Sequence, residues 1–244
     1  MHQYEAVIKA MEGNGGYATL GYLYQNALKI RACEWKTKTP FATIRRIVQD
    51  ERFFFKIRPG LWALKTYKDR LPSNILPTKE ISKPKQEEFT HTYYQGLLVE
   101  IGNLKRFQTF VPNQDKNKIY LNKKLGEIST VEEFYKFTYD SILRKAKTID
   151  VSWFNIRKMP YALFEIEYST TIQNSLLKFL EIQDFSVKFY IVADEVRKRE
   201  FEEKVSLNAF VPIQKRTQFL SYLHLSEWHT KTHEITRLEE NLNF

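Results

Sequence analysis

The sequence of 244 residues lacks features that several protein classes require. Its one cysteine, Cys33, has no partner for an internal disulfide bond. No run approaches twenty apolar residues and no charged-then-apolar leader follows Met1, so we expect no membrane association and a cytoplasmic location. A glycine-rich phosphate loop and a nucleophile elbow are also missing, which leaves nucleotide hydrolysis and serine-hydrolase chemistry without support.

Positive charge, by contrast, is abundant and unevenly distributed. The net charge is +9, and residues 1–70 hold 13 Lys and Arg against 6 Asp and Glu. Residues 93–244 hold 22 against 20, so most of the excess lies in the first third. This distribution predicts that the first third binds a polyanion, a description that nucleic acid, anionic lipid and acidic proteins all meet.

A proline-bearing stretch at residues 71–92 predicts a linker. It holds three prolines and has no helical or strand period. The linker divides the chain into a domain of residues 1–70 and a domain of residues 93–244. We predict an α/β protein with a small N-terminal domain and a C-terminal core in which helices flank a central mixed sheet.

The first segment carries the pattern of three helices and a β-hairpin. Apolar residues recur at helical spacing, and the third helix opens at Thr39-Pro40. Two short strands around Pro59-Gly60 then predict a hairpin. Residues 3–68 resemble the HARE-type winged-helix domain, most specifically in the wing sequence Phe-Phe-Lys-Ile-Arg-Pro-Gly-Leu-Trp-Ala-Leu.

The winged-helix resemblance implies DNA binding. The third helix would enter the major groove and the wing would meet phosphates. The residues predicted to contact DNA are Thr43, Arg45, Arg46, Gln49, Lys56 and Arg58. The alternative is that these are solvated side chains on a winged helix that binds protein.

Acidic residues lie inside two apolar strands of the second segment. Asp150 falls in a strand predicted over 148–154, and Glu165 and Glu167 point to one face of a strand predicted over 161–168. If the two strands are neighbours, the three carboxylates converge and repel one another unless a cation neutralises them. Ligands that are all oxygen suit Mg²⁺ or Mn²⁺.

Together with Glu100 on a helix predicted over Tyr93–Lys105, this order of elements resembles the PD-(D/E)XK nuclease superfamily. Glu100, Asp150 and Glu165 match its acids, while Glu167 stands at the usual lysine, as in the BamHI-type restriction enzymes. The resemblance implies a restriction-type endonuclease that cuts double-stranded DNA with Mg²⁺ or Mn²⁺. Since cutting both strands usually requires two copies, it also implies a homodimer.

The same resemblance implies roles for these residues. Asp150, Glu165, the Ile166 carbonyl and Glu100 would hold the metal, and Glu167 would orient or deprotonate the attacking water. Lys178, on the following helix, could return the missing cation, although a solvated side chain is the favoured interpretation. The rival function is a non-catalytic DNA-binding or regulatory protein that keeps an inactive nuclease fold as a scaffold.

Overall fold

The computed structural model describes residues 1–78 and 80–241, and the chain divides into two compact units. The terminal unit combines Met1–Glu80 with the chain from Ser226 onward, and the central unit is Ile81–Leu225. Within the described ranges, no helix is both long enough and apolar enough to span a lipid bilayer.

The first 70 residues of the terminal unit contain three helices and a small antiparallel sheet. In chain order these elements are α1 (Gln3–Glu12), β1 (Tyr17–Thr19), α2 (Leu20–Asn26), α3 (Pro40–Ile47), β2 (Phe54–Arg58) and β3 (Leu61–Leu64). The strand order is β1-β3-β2. Apolar faces of the helices meet the sheet around Met11, Leu23, Ile44 and Phe54, all at most 1% exposed. The predicted three helices and hairpin are confirmed.

The central unit is built on a five-stranded sheet. Its elements are α4 (Lys83–Leu104), β4 (Gln108–Phe110), β5 (Ile119–Tyr120), β6 (Lys123–Lys124), α5 (Leu125–Ile128), α6 (Asp140–Ala146), β7 (Val151–Phe154), β8 (Pro160–Glu167), α7 (Ile172–Leu180), β9 (Lys188–Ala193), α8 (Lys198–Val205), α9 (Val211–Gln214) and β10 (Thr217–Ser221). The final helix, α10, spans Tyr222–Asn241.

The large sheet has the order β10-β9-β8-β7-β4 and is mixed, as predicted. Strands β8, β9 and β10 run parallel, whereas β4, β7 and β8 are joined by antiparallel pairings. Adjacent residues of β7 point to opposite faces of the sheet. The Trp153 indole donates to the Leu98 carbonyl of α4, while Phe154 packs in the core that contains Leu176 of α7. Helices therefore cover both faces of the sheet.

The structure places two boundaries differently from the sequence prediction. Helix α4 begins at Lys83, with a proline in its first turn, so the last ten residues of the predicted linker are helical. Lys79, within that linker, and residues 242–244 lie outside the described residues.

The chain from Ser226 onward groups with the terminal unit rather than with the predicted domain of residues 93–244. Its helix packs closely on α2, since a Cβ atom at Gly21 would lie 2.3 Å from Cδ2 of His233. Glu234 also forms an ion pair with Arg45 of α3. The sequence analysis missed this association because local sequence patterns do not show which distant elements pack together.

Candidate active site

Asp150 and Glu165 meet where β7 begins and β8 approaches its end. The pairing of Val151 with Phe164 in the antiparallel register brings the residue before β7 beside Glu165. Both acids line a cleft of about 480 Å³. The side chains that line it with them include Glu87, His91, Glu167, Thr170, Ser175 and Lys178.

Glu165 is buried and paired with a lysine. Its side chain is 3% exposed, and Lys178 Nζ lies 2.9 Å from Oε1 and 2.8 Å from Oε2. Lys178 also donates to the Thr148 carbonyl, at 3.3 Å. The expectation of a solvated Lys178 is therefore wrong, because helix α7 follows β8 closely and folds back over the strand end.

Glu167 shares a hydrogen-bonding partner with Glu165. The Ser175 hydroxyl lies 2.9 Å from Glu165 Oε2 and also contacts Glu167 Oε1, and it can donate its single proton to only one of them at a time. Thr170 donates its hydroxyl to Glu167 Oε2. The two glutamates thus lie on one face of β8, as predicted.

Asp150 is oriented by donors from two elements. Its Oδ2 accepts the Ile166 backbone N–H at 2.7 Å and lies 3.0 Å from Nε2 of His91. The Gln95 amide donates to the Asp150 backbone carbonyl at 3.1 Å. No hydrogen bond reaches Oδ1 from the described part of the chain, so this oxygen is available to a ligand.

Helix α4 contributes to the cleft through its first turns, which the sequence analysis assigned to a linker. His91 reaches Asp150, and Glu87, one turn earlier, accepts a hydrogen bond from Ser169 at 2.8 Å. Sequence reasoning missed both residues. Ser82 followed by Pro84 was the available signal, because a serine N-cap with proline in the first turn marks a helix start.

Glu100 does not line the cleft. It follows His91 by nine residues, which is about 13 Å along a helix that rises 1.5 Å per residue. Its Oε2 accepts the Tyr120 hydroxyl at 3.0 Å instead. The structure therefore brings together Asp150, Glu165 and Glu167 but not Glu100.

Burial and repulsion perturb the ionisation of this site. Burial, and then the charge of Asp150, raise the pKa of Glu165 well above its usual value, against the opposing effect of Lys178. Burial would also raise the pKa of Asp150, but His91 and the Ile166 N–H outweigh it, and the net pKa is lowered. A buried carboxylate with a raised pKa beside an ionised one is a combination that cation binding would relieve.

The six predicted DNA contacts fall into two groups. Arg46, Gln49 and Lys56 are exposed. The other three have intramolecular partners: Thr43 is buried with its hydroxyl on the Thr39 carbonyl, Arg45 contacts the Tyr24 hydroxyl and Glu234, and Arg58 donates to the Ile75 carbonyl.

Comparison with known proteins adds a family. The sequence model of the type II restriction enzyme NmeDI C-terminal domain matches residues 70–242. This chain belongs to that family. The type II restriction enzyme NmeDI of Neisseria meningitidis serogroup C is 28% identical over 150 residues, which cover 56% of this chain and 41% of the relative. The chain thus spans less than half the length of that relative. No solved structure matches the chain.

The family match covers the whole central unit, and therefore the cleft that holds Asp150, Glu165 and Lys178. It does not cover residues 1–69, which contain the three short helices and the hairpin.

Proposed function

We propose that this protein is a restriction-type endonuclease that hydrolyses phosphodiesters of double-stranded DNA with Mg²⁺ or Mn²⁺. The observation that carries the proposal is the cleft in which Asp150, Glu165 and Lys178 meet. It lies in a chain whose family is defined on a type II restriction enzyme. The arrangement supports a PD-(D/E)XK-type site in which the lysine comes from a helix instead of the strand.

The donor set of the cleft fits a divalent cation. Asp150 Oδ1, the Glu165 carboxylate and the Ile166 carbonyl would hold it, and all three ligands are oxygens. The raised pKa of Glu165 supports this assignment, because burial and the charge of Asp150 disfavour its ionised form, which a bound cation would favour. When bound, the cation would neutralise charge that develops on the reacting phosphate.

Glu100 was the acid expected from helix α4, but Glu87 is better placed to contribute. Glu87 lines the cleft, whereas Glu100 accepts a hydrogen bond from Tyr120. We assign to Glu87 the part of the helix acid, which in this family of sites helps to hold the cation or its water.

Lys178 and Glu167 would have separate roles, Lys178 at the phosphate and Glu167 at the attacking water. The Lys178 ammonium group would supply the positive charge that the motif's lysine provides, next to the phosphate. Glu167 would accept the proton from the water as it attacks phosphorus, while one P–O ester bond breaks and its oxygen takes up a proton from solvent. His91 acts as a positioning residue, since it holds Oδ2 of Asp150 and leaves Oδ1 for the cation.

The terminal unit would supply affinity as a HARE-type winged helix. Arg46, Gln49 and Lys56 are the predicted contacts that remain exposed to meet DNA. Because one site cuts one strand at a time, we propose that two copies of the chain act together on duplex DNA.

One observation favours the scaffold alternative. Lys178 already pairs with Glu165 within the chain, so a positive charge beside this acid does not require a cation. Calorimetry with Mn²⁺, combined with a plasmid-nicking assay at matched pH, separates the two functions. Binding of Mn²⁺ together with nicking would support the nuclease, whereas a folded protein that binds DNA but no divalent ion would leave the scaffold.

A further inference from the structure

Residues 113–124, here called the hairpin segment, have an unusual composition. The sequence Asn-Gln-Asp-Lys-Asn-Lys-Ile-Tyr-Leu-Asn-Lys-Lys holds four lysines, three asparagines and one glutamine among twelve residues. Its one acid is Asp115. The central unit holds 22 Lys and Arg against 18 Asp and Glu, so this segment carries three of its four excess positive charges together with a concentration of side-chain amides.

The hairpin segment is firmly anchored at its base. Asp115 is 2% exposed; it accepts the Gln95 amide at 2.9 Å and pairs with Lys118 at 2.6 Å. Tyr120 packs so closely on α4 that a Cβ atom at Gly96 would lie 2.1 Å from its ring. Strands β5 and β6 pair in antiparallel register around Leu121, which has a φ of 54°.

The polar groups beyond this base face outward. Lys116 donates to the Glu132 carbonyl, and Lys118 is engaged by Asp115. The remaining two lysines, both on β6, are exposed and make no ion pair within the described ranges. The exposed amides and lysines of the segment are Asn113, Gln114, Asn117, Asn122, Lys123 and Lys124.

A chain of contacts connects the hairpin segment with the cleft. The Gln95 amide donates both to Asp115 in the segment and to the backbone carbonyl of Asp150. The base of the segment therefore lies beside the residues that hold Asp150.

We propose that the hairpin segment is a DNA-reading β-ribbon, in which Lys123 and Lys124 contact phosphates and Asn117 and Asn122 contact base edges. This inference rests on the proposed function, because it assigns the surface that guides duplex DNA into the cleft of Asp150 and Glu165. The major groove admits a two-stranded ribbon, and an asparagine amide can make a bidentate contact with adenine.

Charge and chemistry favour DNA over an acidic protein as the occupant. Lysines meet either partner, but the exposed side-chain amides of the same segment match the donors and acceptors that base pairs present in the major groove. The anchored base also suits this role, because a reading element must hold its side chains in register with the cleft.

The first test is a salt titration of binding to a duplex DNA fragment of mixed sequence, measured without divalent ions. We expect Lys123→Ala with Lys124→Ala to lower the slope of log affinity against log salt by about 1.8, since each lost phosphate contact removes about 0.9. The matched control is Lys188→Ala with Lys215→Ala, two exposed lysines of the same unit, one at the start of β9 and one two residues before β10. The control should keep the wild-type slope.

The second test is selection of bound sites from a randomised duplex library. Asn117→Ala or Asn122→Ala should relax preference at one base pair by about 5- to 150-fold, the range expected for a bidentate contact. Circular dichroism checks that each variant is folded. Unchanged slope and unchanged site preference in folded variants would overturn the proposal.

The outcomes also separate this proposal from the proposed function. Suppose that the wild-type protein binds Mn²⁺ and nicks plasmid, and that the variants of the hairpin segment bind DNA as the wild type does. This result would overturn the proposal for the hairpin segment and support the nuclease. If the wild-type protein binds no Mn²⁺ but the variants of the hairpin segment still lose DNA affinity, the proposal for the hairpin segment would stand and the nuclease would be overturned. Absence of DNA binding by the wild type would overturn both.

Discussion

The two units differ in whether their notable charged residues are exposed or buried. The terminal unit has most of its excess lysine and arginine on the surface, where water solvates it. The central unit buries Glu165 and Glu167, at 2% and 4% exposure, and surrounds them with a lysine and two hydroxyl groups. Exposed charge costs little, so it is weak evidence for a site. Buried charge is costly unless compensated, and therefore points to chemistry.

The comparison also qualifies what a count of charges means. Arg45 and Arg58 contribute to the basic balance of the first 70 residues, yet both are held by intramolecular partners. Arg46 contributes the same charge and is exposed. Charge predicts attraction to DNA for the surface as a whole, while the partners of each residue decide which ones can make contact.

The contrast between the two units fails if the buried acids take no part in catalysis. We expect Asp150→Asn to reduce plasmid nicking by about 1,000-fold or more, because several kcal/mol of transition-state stabilisation depend on the cation site. DNA affinity should stay equal or rise, since the substitution removes a charge that repels phosphate. Asp184→Asn, an exposed aspartate of the same unit, serves as the control. Nicking that survives in Asp150→Asn would contradict the assignment.

Lys178→Met tests whether the buried acids need their lysine. We expect nicking to fall about 100- to 1,000-fold, as for loss of a preorganised donor. Stability should fall by about 1–3 kcal/mol. This loss of stability is smaller than for a buried ion pair whose remaining partner must stay charged, because Glu165 can take up a proton.

The pH dependence of that loss is a sharper measurement. A carboxyl group with a raised folded pKa binds more protons in the native state, so stability falls as pH rises. Urea unfolding of Lys178→Met should therefore show a larger deficit at pH 8 than at pH 5. Lys178→Arg should recover part of the stability. A deficit that is independent of pH would mean that Glu165 does not titrate in this way.

His91→Gln probes positioning without removing a predicted ligand. We expect Mn²⁺ affinity to drop about 10- to 100-fold, the usual cost of losing a partner that orients a metal ligand. Calorimetry measures this directly, and His224→Gln, at an exposed position, is the matched control. If His91→Gln slowed nicking while Mn²⁺ affinity stayed at the wild-type value, the positioning role would be wrong.

The smallest expected effect lies in the terminal unit, where neighbouring arginines should behave differently. Arg46→Ala should lower the salt slope of DNA binding by about 0.9, the contribution of one phosphate contact. Arg45→Ala should leave the slope nearly unchanged but lower stability by roughly 1 kcal/mol, because it breaks contacts to Tyr24 and Glu234. Equal slopes in the two variants would show that intramolecular pairing does not decide which arginine contacts DNA.

Local pattern was sufficient for much of the fold. The alternation in β8 placed Glu165 and Glu167 on one face, and the order of strands brought Asp150 beside them. The helices and hairpin before residue 70 also followed from spacing and turn residues. These features depend on a few neighbouring residues, which the sequence displays directly.

Features that depend on tertiary packing were harder to predict. Glu100 lies on the expected helix, but helical period alone could not show that the cleft is reached two and a half turns earlier, at His91. The start of α4 resembled a linker because it follows closely spaced prolines and shows no apolar residues at helical spacing. Lys178 looked like any exposed helix lysine until α7 was placed against the end of β8.

The pairing of Arg45 with Glu234 has a consequence for synthesis. The two residues are separated by 189 positions, so at about 5–20 residues per second the ribosome needs roughly 10–40 s to deliver the second after the first. The central unit lies entirely between these two residues in the sequence, so all of its strands are synthesised during this interval. Arg45 therefore remains without its carboxylate partner until the whole central unit has been synthesised.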